Sequence, residues 1–264
     1  MKEVNETLRY CVDSGHAEHI NVFYTTNLTR VNSETIELAK KFRTFTWIVS
    51  IDGFGATQEY IRYPSKWKII EENFIRIKSF VDADQWRVIA NFTVQSYNIC
   101  NITDFFDWIE KMDLQGPPFA YNPVSLNLLT NPDFLDIQFL PLEVRQHASR
   151  LIDAYWLRNK LTKFEGFTDR LRMVQSILHK APTPGYQDRM ADFLDFTRIL
   201  DHHRKQDLAF INPFLFHSVF NAADINLKRA FRQIGFKLTR MYLKRPADRI
   251  KGRLRHLASI IKFK

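Results

Sequence analysis

The stretch IVSIDGFGATQEYIR, residues 48–62, brings a hydroxyl, a carboxylate and a guanidinium into one short span. An apolar run, Trp47-Ile48-Val49, carries Ser50 and Asp52 at alternate positions, breaks at Gly53 and leads through a loop to Arg62. A guanidinium can grip a carboxylate through two parallel charge-assisted bonds, and a strand hydroxyl beside it can add a third. The same residues have a plainer use. Asp-Gly is a common way to turn a chain after a strand, and Glu59 stands three residues before Arg62, the spacing of an ion pair on a helical turn.

Two further strand ends repeat the device. Side chains alternate across a strand, so Ile89, Asn91, Thr93 and Gln95 share one face that turns polar toward its end, and an earlier strand closes with Thr25, Thr26 and Asn27. In open parallel sheets and barrels the chemistry lies at the carboxyl ends of the strands. Three successive ends carrying hydroxyls and amides therefore read either as a polar small-molecule site or as solvated strand ends with satisfied turns.

Elements that would position these groups alternate along the chain. Hydrophobic spacing predicts helices over Glu3–Ser14, Ser33–Phe42 (capped by Ser33), Lys66–Val81 and Ile102–Met112. It predicts strands over Ile20–Asn27, Phe45–Asp52, Trp86–Gln95 and Phe119–Leu129, with a short one over Leu135–Phe139. Beyond Pro141 the pattern is helical: Leu142–Leu157, Asp169–Lys180 and Tyr186–Asp201. Alternating strands and helices imply a parallel α/β sheet with right-handed crossovers.

The 264 residues suffice for a sizeable core, and no apolar run is long enough to cross a membrane. MKEVNETLRY has no apolar signal-peptide region, and two cysteines, Cys11 and Cys100, make no disulfide framework. Both features suit a reducing, cytoplasmic location. The net charge of +9 is unevenly spread: residues 225–264 hold 13 Lys and Arg against one acidic residue, leaving 25 basic against 28 acidic residues elsewhere.

Five motifs in order carry a resemblance: TTNLT at 25–29, SIDGFGATQEYIR at 50–62, W-x5-N at 67–73, FTVQSYNICNITDFFDW at 92–108, and Asn122-Pro123 with Leu140-Pro141. Together they resemble the later part of a radical S-adenosylmethionine (radical SAM) protein, more narrowly the "twitch" group met in phage and bacterial genomes. Phe193–Pro213 resembles the helical end of that group, and the resemblance spans about residues 4–216. It implies the C-terminal portion of a partial (βα)6 TIM-like barrel with parallel strands, followed by a helical C-terminal region. The implied domains are a partial barrel at 1–140, a helical extension at 141–216 and a basic amphipathic tail at 217–264. It also implies that Ser50 and Arg62 hold the amino-acid end of SAM. Asn27 and Gln95 stand at neighbouring strand ends, and Asp52 either fixes the turn or reaches a ribose hydroxyl.

The family's C-x3-C-x2-C loop, whose thiolates ligate a [4Fe–4S] cluster, is not in this sequence, nor is the Gly-Gly-Glu strand end. No catalytic residue and no metal ligand is therefore assigned, and Cys11 and Cys100 read as small core residues. The expectation is the distal half of a radical SAM enzyme, inactive alone. Its partners would be an N-terminal half carrying the cysteines and a peptide or small-molecule substrate. The alternative is a non-catalytic binding protein that uses its basic tail on nucleic acid or membrane. In that tail Leu227, Phe231, Ile234, Leu238 and Met241, then Ile250, Leu254, Leu257 and Ile261, recur at helical spacing among Lys and Arg. They suit an anionic partner or packing with a solvated basic face. His202-His203 beside Asp201 and Asp207 invites a metal reading, but adjacent helical side chains diverge, so a solvated helix end is the plainer one.

Overall fold

The computed structural model describes residues 2–81, 85–114, 121–158, 161, 164–181 and 184–223. Both amphipathic stretches of the basic tail lie outside them, as do the first residues of the strand expected from Phe119. Four strands, β1 (Asn21–Thr26), β2 (Thr44–Ser50), β3 (Trp86–Val94) and β4 (Val124–Leu128), pair in parallel in the order β1-β2-β3-β4. This is the α/β parallel arrangement that the alternating pattern predicts. Helices α1 (Lys2–Asp13), α2 (Ser33–Ala39), α3 (Ala56–Ile61), α4 (Trp67–Lys78) and α5 (Ile102–Lys111) are interleaved with the strands.

One face of the sheet is dry because its side chains are large and apolar. Phe45, Trp47 and Val49 of β2 and Trp86, Val88, Ala90, Phe92 and Val94 of β3 are all buried. Phe92 stacks on Phe105 of α5 with ring centroids 4.5 Å apart, and the Trp86 indole N–H donates to the Ile77 carbonyl at the end of α4. Each large side chain of this set removed from water contributes about 1.5–3 kcal/mol, so this face anchors the helices.

The opposite face is not covered in the same way. Phe23 of β1 is 71% exposed, and Ile48, Ser50, Ile89 and Asn91 are only half-buried. Register pairs Phe23 with Thr46 and Thr46 with Arg87, one row on this face in which Phe23 is exposed, Arg87 half-buried and Thr46 buried. All-parallel sheets are ordinarily buried on both faces.

The structure departs from two sequence expectations. Leu135–Phe139 is not a strand but part of two short 3-10 turns, Asp133–Leu135 and Ile137–Phe139. Asp136 between them accepts from the Gln138 backbone N–H and side-chain amide, a local bond that holds the turn in place of a ladder. Asn32, not Ser33, caps α2: its Oδ1 accepts the Thr35 N–H at 2.7 Å.

The helical region comprises α6 (Leu142–Trp156), α7 (Glu165–His179), α8 (Tyr186–Arg204), α9 (Leu208–Ile211) and α10 (Pro213–Ala222). Fully buried Arg145 of α6 donates Nη1 to the Leu178 and Lys180 carbonyls. That puts a cation at the C-terminal end of α7, where the helix dipole favours one. No described helix is long and apolar enough to cross a membrane.

Candidate functional site at the carboxyl ends of the strands

Asp52 is the centre of the site, and all its polar groups are engaged. Past Ser50 the ladder continues for one bond, Ile51 N–H to the Asn91 carbonyl at 3.1 Å. The Asp52 carboxylate then takes over: Oδ1 accepts the Thr93 N–H at 3.0 Å and Oδ2 accepts Arg62 Nε at 2.7 Å. Its backbone N–H donates to Gln58 Oε1 at 2.7 Å, and its carbonyl accepts Asn98 Nδ2 at 2.9 Å. Asp52 is 4% exposed, so the carboxylate acts as a buried bridge between β2, β3 and the end of α3.

Arg62 is not in a plain loop, and its partner is not Glu59. A short helix, α3, precedes it, and Arg62 is the C-cap with φ −108° and ψ 43°, off the helical path. Glu59 instead accepts the Trp67 N–H at 2.8 Å and meets Lys66 Nζ at 3.4 Å. The Arg62 side chain is 31% exposed, and only Nε is bonded, so its Nη1 and Nη2 have no partner among the described residues. Gly53 makes this approach possible: a Cβ there would lie 2.9 Å from Thr57 Cγ2 and 3.0 Å from the Gln58 backbone nitrogen. Any side chain would push α3 off the strand end and move Gln58 from Asp52.

The remaining expected residues sit around this centre. Ser50 is half-buried on the open face, in a row with Asn91 and Ser125. Asn127 Nδ2 donates to Asn91 Oδ1 at 2.7 Å, extending the polar rim. Gln95 is buried, and its backbone N–H donates to Asn98 Oδ1 at 2.9 Å. Asn27 lies one residue past the Thr26–Val49 pair, level with Ser50, but is exposed and accepts from Thr29 N–H and hydroxyl in a local turn. Asp52 and Arg62 are thus brought together directly and Gln95 through Asn98. Neither Ser50 nor Asn27 hydrogen-bonds Arg62. Gln58 and Asn98 escaped the sequence reading. Their polar side chains fall at no periodic position, and only the fold shows the backbone groups they serve.

The cysteines do not fit an iron–sulfur cluster. Cys11 lies on α1, while Cys100 is buried beside the Asn212 amide, and burial pushes its thiol up to about 12. Cluster ligation requires thiolates, and a thiol held protonated is a poor candidate. In the His202-His203 constellation both carboxylates are engaged in chain turns: Asp207 accepts the Ala209 N–H, and Asp201 Oδ2 accepts the Leu208 N–H at 3.1 Å. Among the described residues no group of three or more His, Cys, Asp or Glu is placed to hold a metal.

Asp201 has a different consequence. Burial raises its pKa, partly opposed by the Leu208 N–H and by the Tyr60 hydroxyl that lies beside the carboxylate. The folded protein therefore holds this proton more tightly than the unfolded chain. Its stabilising share is complete below the unfolded carboxyl range, about pH 4, and is lost as pH rises through the raised folded value. Asp201→Asn keeps an acceptor for Leu208 and removes the buried charge. The variant is expected to be the more stable protein at neutral pH in urea unfolding, with the difference shrinking as pH falls. A difference constant with pH would assign the proton uptake elsewhere.

These features define a class: a four-stranded parallel α/β body with a part-buried ion pair at its carboxyl ends. No family model matches the chain, and neither a curated protein nor a solved structure matches it.

Proposed function

We propose that the chain is the distal part of a radical SAM enzyme, a stretch of a partial (βα)6 barrel whose strand ends hold the amino-acid portion of SAM. The observation that carries this reading is the aim of Arg62. Its Nε is tied to a buried carboxylate at 2.7 Å, and its terminal Nη1 and Nη2 remain unengaged at the carboxyl end of a parallel sheet. Such a fork suits a carboxylate ligand. The resemblance of the residue 50–62 motif makes SAM the ligand to test, with Ser50, Asn91 and Gln95 as neutral polar neighbours. Asp52 then acts by holding Arg62 rather than by meeting the ligand. The sparsely covered sheet face and the place of β1 at the edge of the described sheet further support the barrel reading. Asn21–Thr26 has no charge, proline or bulge to discourage strand pairing. A polypeptide carrying the cluster cysteines is the partner this edge would receive, because the two thiols here do not fit that task.

Calorimetry with SAM tests the reading. One ion pair in a half-open site contributes on the order of 1 kcal/mol, against about 8 kcal/mol for a micromolar complex. Binding no tighter than high micromolar is expected from the full chain, and none from Arg62→Ala. Heat of binding that is absent in the wild type, or unchanged in Arg62→Ala, would remove the SAM assignment. Reductive cleavage of SAM by this chain alone would overturn the division of the enzyme into two parts.

A further inference from the structure

Six residues make too short a helix to be stable by itself, yet α3 carries the turn from which Arg62 projects. Its last carbonyls have no partner within the helix. Two of them are taken by side chains from the last residue of α8 and from the turn that follows it. Arg204 Nη1 donates to the Tyr60 carbonyl at 3.1 Å and Gln206 Nε2 donates to the Glu59 carbonyl at 3.1 Å, across 144 and 147 residues of chain. The Arg204 guanidinium also lies over the Tyr63 ring, 5.7 Å from its centroid. Lys205 between them adopts a left-handed conformation (φ 54°) that ends α8, and the Gln206 N–H returns to the Asp201 carbonyl at 3.1 Å. The corner between α8 and α9 is thereby built as a clamp on residues 59–63, on both sides of the Ile61-Arg62 backbone.

From this we infer that Arg204 and Gln206 are positioning residues for Arg62, the means by which the C-terminal helices set the anion-binding fork. Asp52 holds the guanidinium at its Nε, and the α8–α9 corner holds the backbone from which the side chain departs. With one end released, the side chain gains rotamers that the ion pair alone must suppress. This inference rests on the proposed carboxylate-binding role of Arg62 for its meaning, but its geometry is measurable without any ligand.

The test uses the full chain labelled with nitrogen-15. Arg62→Lys identifies the Arg62 Nε–H signal, which in the wild type is protected by Asp52. Arg204→Ala and Gln206→Ala should each broaden or remove that signal and speed amide exchange over residues 59–65 by about tenfold or more. Exchange in α5 should stay unchanged, and Arg204→Lys, which still donates toward the Tyr60 carbonyl, should largely restore the signal. Titration with SAM should show each alanine variant weaker than the wild type by up to about fivefold, the most that loosening the single Arg62 ion pair can remove. An unaltered Arg62 signal and unaltered exchange at 59–65 in both alanine variants would overturn the inference. If Arg204→Ala also accelerates α5, then Gln206→Ala and Arg204→Lys decide on the same readouts. If the wild type binds no SAM, the SAM assignment falls while the Nε–H and exchange results still judge the clamp.

Discussion

Asp52→Ala is expected to cost about 3 kcal/mol of folding stability, because one carboxylate closes two elements onto a third. The substitution leaves the Thr93 N–H without its acceptor and frees the Arg62 side chain from its bonded partner among the described residues. Water can reach the partly exposed guanidinium and repay part of that loss, so the figure sits at the low end for a broken buried pair. For a body of this size the melting temperature should fall by roughly 6–12 °C. Asp52→Asn should cost less, since one amide oxygen can still accept from Thr93, but it loses the charge that anchors Arg62. Both variants should weaken any carboxylate ligand. Urea unfolding checks the first claim, and Asp52→Ala within about 1 kcal/mol of the wild type would show that the bridge bears little.

Asn98 should rank with it. Its side chain is fully buried and makes three bonds: Oδ1 accepts the Gln95 N–H at 2.9 Å, and Nδ2 donates to the Asp52 carbonyl at 2.9 Å and the Thr93 carbonyl at 2.7 Å. Asn98→Ala strands one buried donor and weakens two acceptors, a loss of about 2–4 kcal/mol. Asn98→Asp is nearly the same shape but places a carboxylate oxygen against two carbonyl oxygens in a buried setting. It should be worse than alanine at neutral pH and recover as pH is lowered, because protonation restores a donor. Thermal unfolding of the two variants across pH separates these outcomes: an aspartate that matches asparagine would mean that Nδ2 is not the donor.

These two residues differ in how much of their role can be read from the chain. The alternation of strands and helices, which implies a parallel sheet, and the polar groups at the strands' carboxyl ends are written in local periodicity; the neighbour order of the four strands is not. The period of two in Ile48, Ser50 and Asp52 reflects backbone pleating and needs no tertiary contact. Asp52 and Arg62 were therefore visible as candidates. Their pairing was not. Sequence spacing favours Glu59 for Arg62, but that preference assumes the helix continues through both residues. Here α3 stops at Ile61, Arg62 leaves the helical path, and Glu59 is spent on Trp67 and Lys66. The short helix itself lacks the repeated apolar stripe that announces longer ones. It persists because Gln58 reaches the Asp52 backbone, and because Arg204 and Gln206 arrive from more than a hundred residues away to take its last carbonyls. Periodicity records which face of an element turns inward. Which buried backbone group a distant amide or guanidinium satisfies is decided only when the elements pack, because unpaired polar groups are costly in the interior and each donor settles on the acceptor that packing places within reach.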